Sequence, residues 1–304
     1  MTKKRKAELA LFATTFIWGG TFVIVKIGFE SVSPFLFVAL RFTIGSLFFA
    51  LIFFRRLLTI SRSALWKGTM LGLLLGVGLV LQTEGLQFTT ASNSGFITGM
   101  MVVFTPLAQL FIERRLPKLG NVLGVVIVTF GLYLLTSPTA AGFNFGDLLT
   151  LIAAFLFGIY IVYLDIYTKE EETFSIVLIQ TVCTALVGWS LVPFETPRII
   201  FNMHVLGILF YTGILATVVT TYTQTRFQKD TTPTRAAIIF TLEPVLSAIL
   251  AYIVLNEILG VSGIIGGALI VAGILISELS DSWLARRSLS RSQREWKFGI
   301  TEEE

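Results

Sequence analysis

Thr231–Glu257, TTPTRAAIIFTLEPVLSAILAYIVLNE, sets an acid and a proline side by side inside an apolar run. At a rise of about 1.5 Å per residue, the polar start of this run is about half a membrane-crossing helix away from Glu243-Pro244. Glu243 is therefore expected near the bilayer centre, where a carboxylate is costly unless it is neutral, paired or facing water. Pro244 deprives the preceding turn of a backbone hydrogen bond and favours a kink at that depth.

The rest of the chain makes the same demand for a lipid environment. Of its 304 residues 54% are hydrophobic and 14% charged, and the mean hydropathy is +0.82, far from the balance of a soluble domain. The fold class expected is an all-α polytopic membrane protein. One cysteine, Cys183, and one histidine, His204, exclude an intrachain disulfide and argue against a histidine–cysteine metal cluster, so no metal and no cofactor are expected. The opening KKRK before an apolar stretch has the polarity of a signal peptide but lacks a short apolar core closed by a small-residue cleavage site, and reads as a retained first helix.

Windows long enough to cross a bilayer run Ala7–Ile27, Pro34–Phe54, Leu65–Phe88, Ala91–Ile112 and Leu119–Thr136, then Gly146–Tyr167, Phe174–Pro193, His204–Phe227, Thr234–Leu255 and Gly260–Ser277. Ten crossings put both termini on one side. Of 23 Lys and Arg, all but Lys26, Arg41 and Arg198 fall at one face, which makes that face, with both termini, cytoplasmic. The protein is thus expected in the cell membrane. Basic residues scattered over several loops without interleaved aromatics do not suit a nucleic acid. Residues 1–6 form a cytoplasmic N-terminus and 278–304 a solvated cytoplasmic tail whose Trp283, Trp296 and arginines face the interface and anionic lipid.

The chain also repeats itself. Glu8-Leu9 leading to Trp18-Gly19 recurs as Asp147-Leu148 leading to Phe157-Gly158, Pro106 is echoed by Pro244, and Gly124 with Gly131 by Gly266 with Gly273. The halves are 7–136 and 146–277. With five crossings each, the second is inverted relative to the first, the plan of alternating-access carriers whose site lies near the midplane between the halves.

These residues carry a resemblance. Phe16-Ile17-Trp18-Gly19, Pro34 with Arg41-Phe42, Gln82-Thr83-Glu84-Gly85-Leu86, Gln228-Lys229 through Pro233-Thr234-Arg235-Ala236-Ala237, Leu242-Glu243-Pro244-Val245 and Asn256-Glu257 resemble the drug/metabolite transporter superfamily, in its EamA-type branch of paired five-helix repeats. The departure is Glu113, displaced by two positions relative to Glu257, with Arg115 in the aligned place. The resemblance implies export or exchange of small organic metabolites, amino acids or drug-like compounds among them, through a cavity lined by helices one to four and six to nine.

Candidate residues follow from depth and type. Trp18 and Thr21 share a helical face that would wall a cavity, with Thr14 one turn away; Phe157 is the repeat partner of Trp18, and Tyr160, Tyr222, Asn93, Thr98 and Gln224 add aromatic and neutral hydrogen-bonding groups. Arg41 and Glu84 lie at depths where they could pair across a helix interface; alternatively Arg41 holds a substrate carboxylate, and Glu84 lines the cavity. Pro106 and Pro244 are the expected hinges. Burial disfavours the charged form of a carboxyl, so Glu243 either takes up a proton and couples it to transport or stays neutral on a backbone group freed by Pro244. The glycine stripes at Gly68, Gly72 and Gly76, Gly95 and Gly99, Gly120 and Gly124, and Gly263 and Gly267 suit close helix packing within the chain, with pairing of two copies an alternative for those of the fifth and tenth helices.

Without a Walker motif, ATP-driven pumping has no support. The reading is a secondary transporter, not an enzyme, handling a small organic solute and exchanging protons if Glu243 couples, as a monomer or homodimer. The alternatives are an intramembrane enzyme, for which no catalytic set is visible, and a non-transporting receptor or scaffold.

Overall fold

The structure, a computed structural model, describes residues 2–136, 144–256, 258 and 260–277. The tail from 278 and Glu257 lie outside these residues. Among them every named element is a helix, and the one other feature is an isolated antiparallel bridge, Val32 to Ile199. Eight helices are long and apolar enough to cross a membrane: Lys3–Gly28, Pro34–Ile52, Arg62–Phe88, Ala91–Glu113, Phe145–Glu170, Thr173–Phe194, Met203–Asp230 and Pro233–Leu255. Two shorter apolar helices, Leu119–Leu134 and Val261–Ser277, occupy the fifth and tenth places.

Helix starts obey local chemistry. Thr2, Ser61, Thr90, Asn144, Asn202 and Thr232 each accept a backbone N–H in the first turn, which satisfies donors otherwise left open at a helix end. At Asn144 the cap is reciprocal, with Asp147 accepting from the Asn144 backbone. The second helix begins at Pro34 and borrows its cap from the other half of the chain: Glu195 accepts from Ser33 Oγ (2.7 Å), Phe35 N (3.1 Å) and Leu36 N (2.8 Å). A carboxylate at a helix N-terminus also meets the positive end of its dipole.

Packing follows the repeat. The first helix lies against the eighth and ninth, as the sixth lies against the third and fourth; the second packs on the seventh and eighth, as the seventh packs on the second and third. Gly19 abuts the ninth helix beside Leu246 and the Glu243 carbonyl, and its counterpart Gly158 abuts the fourth beside Phe104 and Thr105. Gly124 meets Gly273 and Gly131 meets Gly266, so the fifth and tenth helices cross through their shared glycines. The fourth and ninth helices both end in a left-handed residue, Arg114 and Asn256, each at φ 55°. The glycine stripe of the third helix lies on the seventh at Ile179, Cys183 and Val187; these contacts are made within the chain.

The expected kinks are displaced from the prolines. The ninth helix breaks at Thr241, three residues before Pro244, and the fourth at Met100, six before Pro106. At each break the N–H turns to a carbonyl three residues back, Thr241 to Ile238 (3.2 Å) and Met100 to Ile97 (3.1 Å). A proline leaves the carbonyl four residues before it without a donor, so the distortion accumulates upstream of the ring. The first helix is also interrupted, at Gly20.

A Cβ at Gly72 would stand 2.5 Å from Cys183 Cβ and 2.7 Å from the Gln180 carbonyl, whereas one at Gly207 meets nothing within 4 Å. Gly72→Val is expected to destabilise the protein by about 1–3 kcal/mol through overpacking, and Gly207→Ala to leave thermal unfolding in detergent nearly unchanged. Equal melting temperatures for the two variants would contradict this packing.

Candidate functional site

Where the two halves meet, side chains from seven helices line a cavity that opens to one side. Trp18 and Thr21 come from the first helix, Arg41 and Phe42 from the second, Leu75, Leu79 and Gln82 from the third, Thr98 and Met101 from the fourth. Phe157, Tyr160 and Ile161 come from the sixth, Ala216, Thr221 and Gln224 from the eighth, Phe240 and Glu243 from the ninth. The wall is mostly apolar and aromatic with a few polar groups, the usual character of a site for a small organic ligand.

The eighth helix organises it. Between Tyr211 and Val219 this helix is π-helical, and wide turns of that kind loosen the carbonyl ladder. The Ala216 carbonyl accepts from Arg41 Nη2 at 2.9 Å, from Thr220 Oγ1 at 2.9 Å and, at 3.3 Å, from Trp18 Nε1, which also donates to Thr220 Oγ1 at 2.9 Å. Trp18 stands edge-to-face on Phe240, with ring centroids 5.3 Å apart. Tyr211 OH donates to the Ile17 carbonyl at 2.7 Å, and together these bonds tie the broken first helix to the eighth.

Polar residues on the opposite wall are paired among themselves. Gln82 Nε2 donates to Thr98 Oγ1 (2.8 Å), Tyr160 OH to Gln180 Oε1 (3.1 Å), and Gln180 Nε2 to Thr225 Oγ1 (3.2 Å). Glu243 is different: it is 8% exposed, it lines the cavity, and its carboxyl receives no hydrogen bond among the described residues. The neutral, backbone-bonded form expected as one alternative therefore has no partner here. Arg41 is the opposite charge that bears on Glu243, across the cavity and without direct ion-pair contact.

The expected Arg41–Glu84 pair does not form. Arg41 turns to the eighth helix, while Glu84 accepts from Gln87 Nε2 one turn along its own helix (2.7 Å) and is absent from the cavity wall. Asn93 and Tyr222 also fall outside it. Asn93 sits in the capped first turn of the fourth helix, its N–H on Thr90 Oγ1, and Tyr222 points to the second helix, stacked against Phe53 and near Phe49. Thr14 donates back to the Leu11 carbonyl and is 2% exposed. Trp18, Thr21, Arg41, Thr98, Phe157, Tyr160, Gln224 and Glu243 are brought together. Phe240, Gln82, Ala216 and Thr217 were missed by sequence reasoning. The threonine-rich run of the eighth helix, Thr212 to Thr225, carried a signal for the last two, since so many hydroxyls in a lipid-spanning segment imply a bonded inner face.

Beyond the cavity, at the end of the bundle where the ninth helix starts, Arg235 forms an ion pair with Glu8 of the first helix. Thr234 donates to Gln109 Oε1 at 2.8 Å, and Gln228 to the Ile161 carbonyl at 2.7 Å. At the other end Asp147 accepts from Thr89 Oγ1 at 2.8 Å, and Lys26 donates to the Thr89 carbonyl. Glu171, between the sixth and seventh helices, takes bonds from Lys67 and then Ser63 of the third, which hold its carboxylate below the usual carboxylate range.

The profile of a family described as the EamA-like transporter family matches residues 5–137 and again 144–279. An uncharacterized transporter of Archaeoglobus fulgidus is 32% identical over 278 residues, 91% of this chain and 87% of that one. The uncharacterized transporter YoaV of Bacillus subtilis is 25% identical over 286 residues, 91% of this chain and 98% of that one. A crystal structure at 21% identity superimposes with a TM-score of 0.75, covering 90% of this chain and 98% of the other, and shows the same fold.

Trp18→Phe keeps the ring contact with Phe240 but deletes the donor to Thr220, and is expected to cost about 0.5–1.5 kcal/mol of stability. Tyr222→Phe, whose hydroxyl has no partner among the described residues, is expected to cost nothing measurable. Thermal unfolding of the two purified variants decides the matter.

Proposed function

The chain belongs to the EamA-like transporter family, and on that premise we propose that it is a secondary transporter of small organic solutes, working by alternating access between two inverted five-helix halves, 7–136 and 146–277. The observation that carries this reading is the cavity between the halves, with Arg41 and Glu243 at its wall. Its mixture of aromatic faces, neutral hydrogen-bonding groups and one charge of each sign suits a zwitterionic, neutral or amphipathic organic solute better than an inorganic ion. The broken first, fourth and ninth helices support movement of one half against the other, with the segments around Pro106 and Pro244 as hinges.

Glu243 is the coupling residue in this proposal. A carboxyl without a hydrogen-bond partner among the described residues, in a mostly apolar wall, is poorly solvated as an anion and is stabilised when protonated or when a cationic group enters. Taking up and releasing a proton as the cavity alternates between the two faces would link solute to proton movement. The distribution of Lys and Arg supports a cell-membrane protein with both termini cytoplasmic, acting as an exporter or exchanger.

A thermal-shift screen of metabolites identifies a solute, since a ligand of the folded state raises apparent stability, and radiolabelled flux of that solute in proteoliposomes then tests the reading. Binding without flux would refute transport. Under an imposed pH gradient, Glu243→Gln is expected to abolish the gradient's effect while the protein remains folded; an unchanged response would remove Glu243 from coupling. In the same assay Arg41→Gln is expected to lose about tenfold or more in apparent affinity, the worth of a charged hydrogen bond, and Glu84→Gln less than about twofold, because Glu84 is off the cavity wall.

A further inference from the structure

The Arg41 guanidinium is bonded on one edge only. An arginine carries five N–H donors in a planar fork, and two are taken by the eighth helix: Nε by Thr217 Oγ1 at 2.9 Å and Nη2 by the Ala216 carbonyl at 2.9 Å. These occupy the side edge of the fork. The end edge, formed by Nη1 and the other hydrogen of Nη2, has no partner among the described residues, and the side chain lines the cavity.

What holds the side edge is the π-helical register. Arg41 can only donate, so Thr217 Oγ1 must accept, and the hydroxyl's own proton goes to the Thr212 carbonyl five residues back, at 2.8 Å. Threonines in α-helical turns reach three or four residues back instead, as Thr14 does to Leu11, Thr181 to Val177 and Thr220 to Ala216. The spacing of five belongs to the wide turn, and it leaves the Thr217 lone pairs and the Ala216 carbonyl side by side. The second helix is brought within reach at a glycine crossing: a Cβ on Gly45 would lie 3.0 Å from the Gly213 carbonyl and from Thr217 Cγ2, and one on Gly213 would lie 3.2 Å from the Arg41 carbonyl.

We propose that Thr217, presented by the π-helical turn, is the positioning residue that aims the end edge of Arg41 into the cavity, where the fork takes the carboxylate of an entering solute. Two parallel N–H bonds to one carboxylate need the guanidinium plane held in a fixed orientation. Thr217 supplies that hold without touching the solute. The proposal rests on the cavity being the solute site.

The test uses benzoate as the probe, because Trp18, Phe42, Phe157 and Phe240 offer its ring an apolar wall, with benzamide as the uncharged control. The side-chain N–H signals of Arg41 are followed by NMR in the full-length protein carrying nitrogen-15 arginine. Benzoate is expected to shift the Arg41 signals and benzamide to leave them in place. Thr217→Val should weaken benzoate binding by about tenfold, as loss of a bond to a charged group implies, and Thr217→Ser, which keeps the hydroxyl, should stay within about threefold of wild type. If Thr217→Val melts too low to assay, Thr217→Ala is held to the same criterion. No Arg41 response to benzoate, equal benzoate affinity with and without the hydroxyl, or a serine variant as weak as the valine one would each overturn the proposal. These are equilibrium measurements and need no flux, so their failure is distinct from a failure of the protein to transport.

Discussion

A guanidinium buried in a membrane-spanning bundle is the most demanding group in this protein, and much of the site's architecture answers that demand. Arg41 keeps its charge and is largely withdrawn from water, so the fold must provide acceptors where a helix normally has none to spare. The eighth helix provides them from its π-helical stretch, where the Ala216 carbonyl and the Thr217 hydroxyl both accept from Arg41. The same carbonyl receives Trp18, so the aromatic wall is fixed by the arrangement that solvates the charge. Close approach at Gly45 and Gly213 makes the bonds reachable.

The two halves share a plan and differ where chemistry is concerned. Both have a glycine after an aromatic residue in their first helix, a fourth helix broken ahead of a proline, and a left-handed residue at that helix's end. These features give a fourfold-contacted centre in which the first, fourth, sixth and ninth helices surround one space. The charges are not shared: Glu243 has Thr105 as its counterpart before the proline, and the π-helical turn is found in the eighth helix alone among the described residues. Symmetry thus builds the container, and its violation supplies the polar contents.

How legible this was depends on the range of the interactions involved. The helices were legible because each needs about twenty apolar residues with turn signals between them, which is local information. Trp18 and Glu243 were legible because a tryptophan repeated as an aromatic, and an acid in lipid, are conspicuous in one dimension. The Arg41–Glu84 pair was a reasonable inference from depth, and it failed because depth says nothing of azimuth: Arg41 turns to the eighth helix, and Glu84 bonds Gln87 three residues on along its own helix. Tyr222 failed for the same reason, sharing a helix with Thr221 but facing Phe49 and Phe53.

The amino-acid sequence by itself determined the lipid environment, the ten helical segments and the doubled plan, since all three rest on composition and periodicity that survive without any partner. Tertiary structure alone decided which groups meet at the centre. The acceptors for Arg41 lie 175 and 176 residues away along the chain, and although the threonine run marks the helix that holds them, nothing local sets which turn of it meets Arg41. A hydrogen bond of that kind is fixed by the rotation of two helices about their axes, and rotation is set by packing against every neighbour at once.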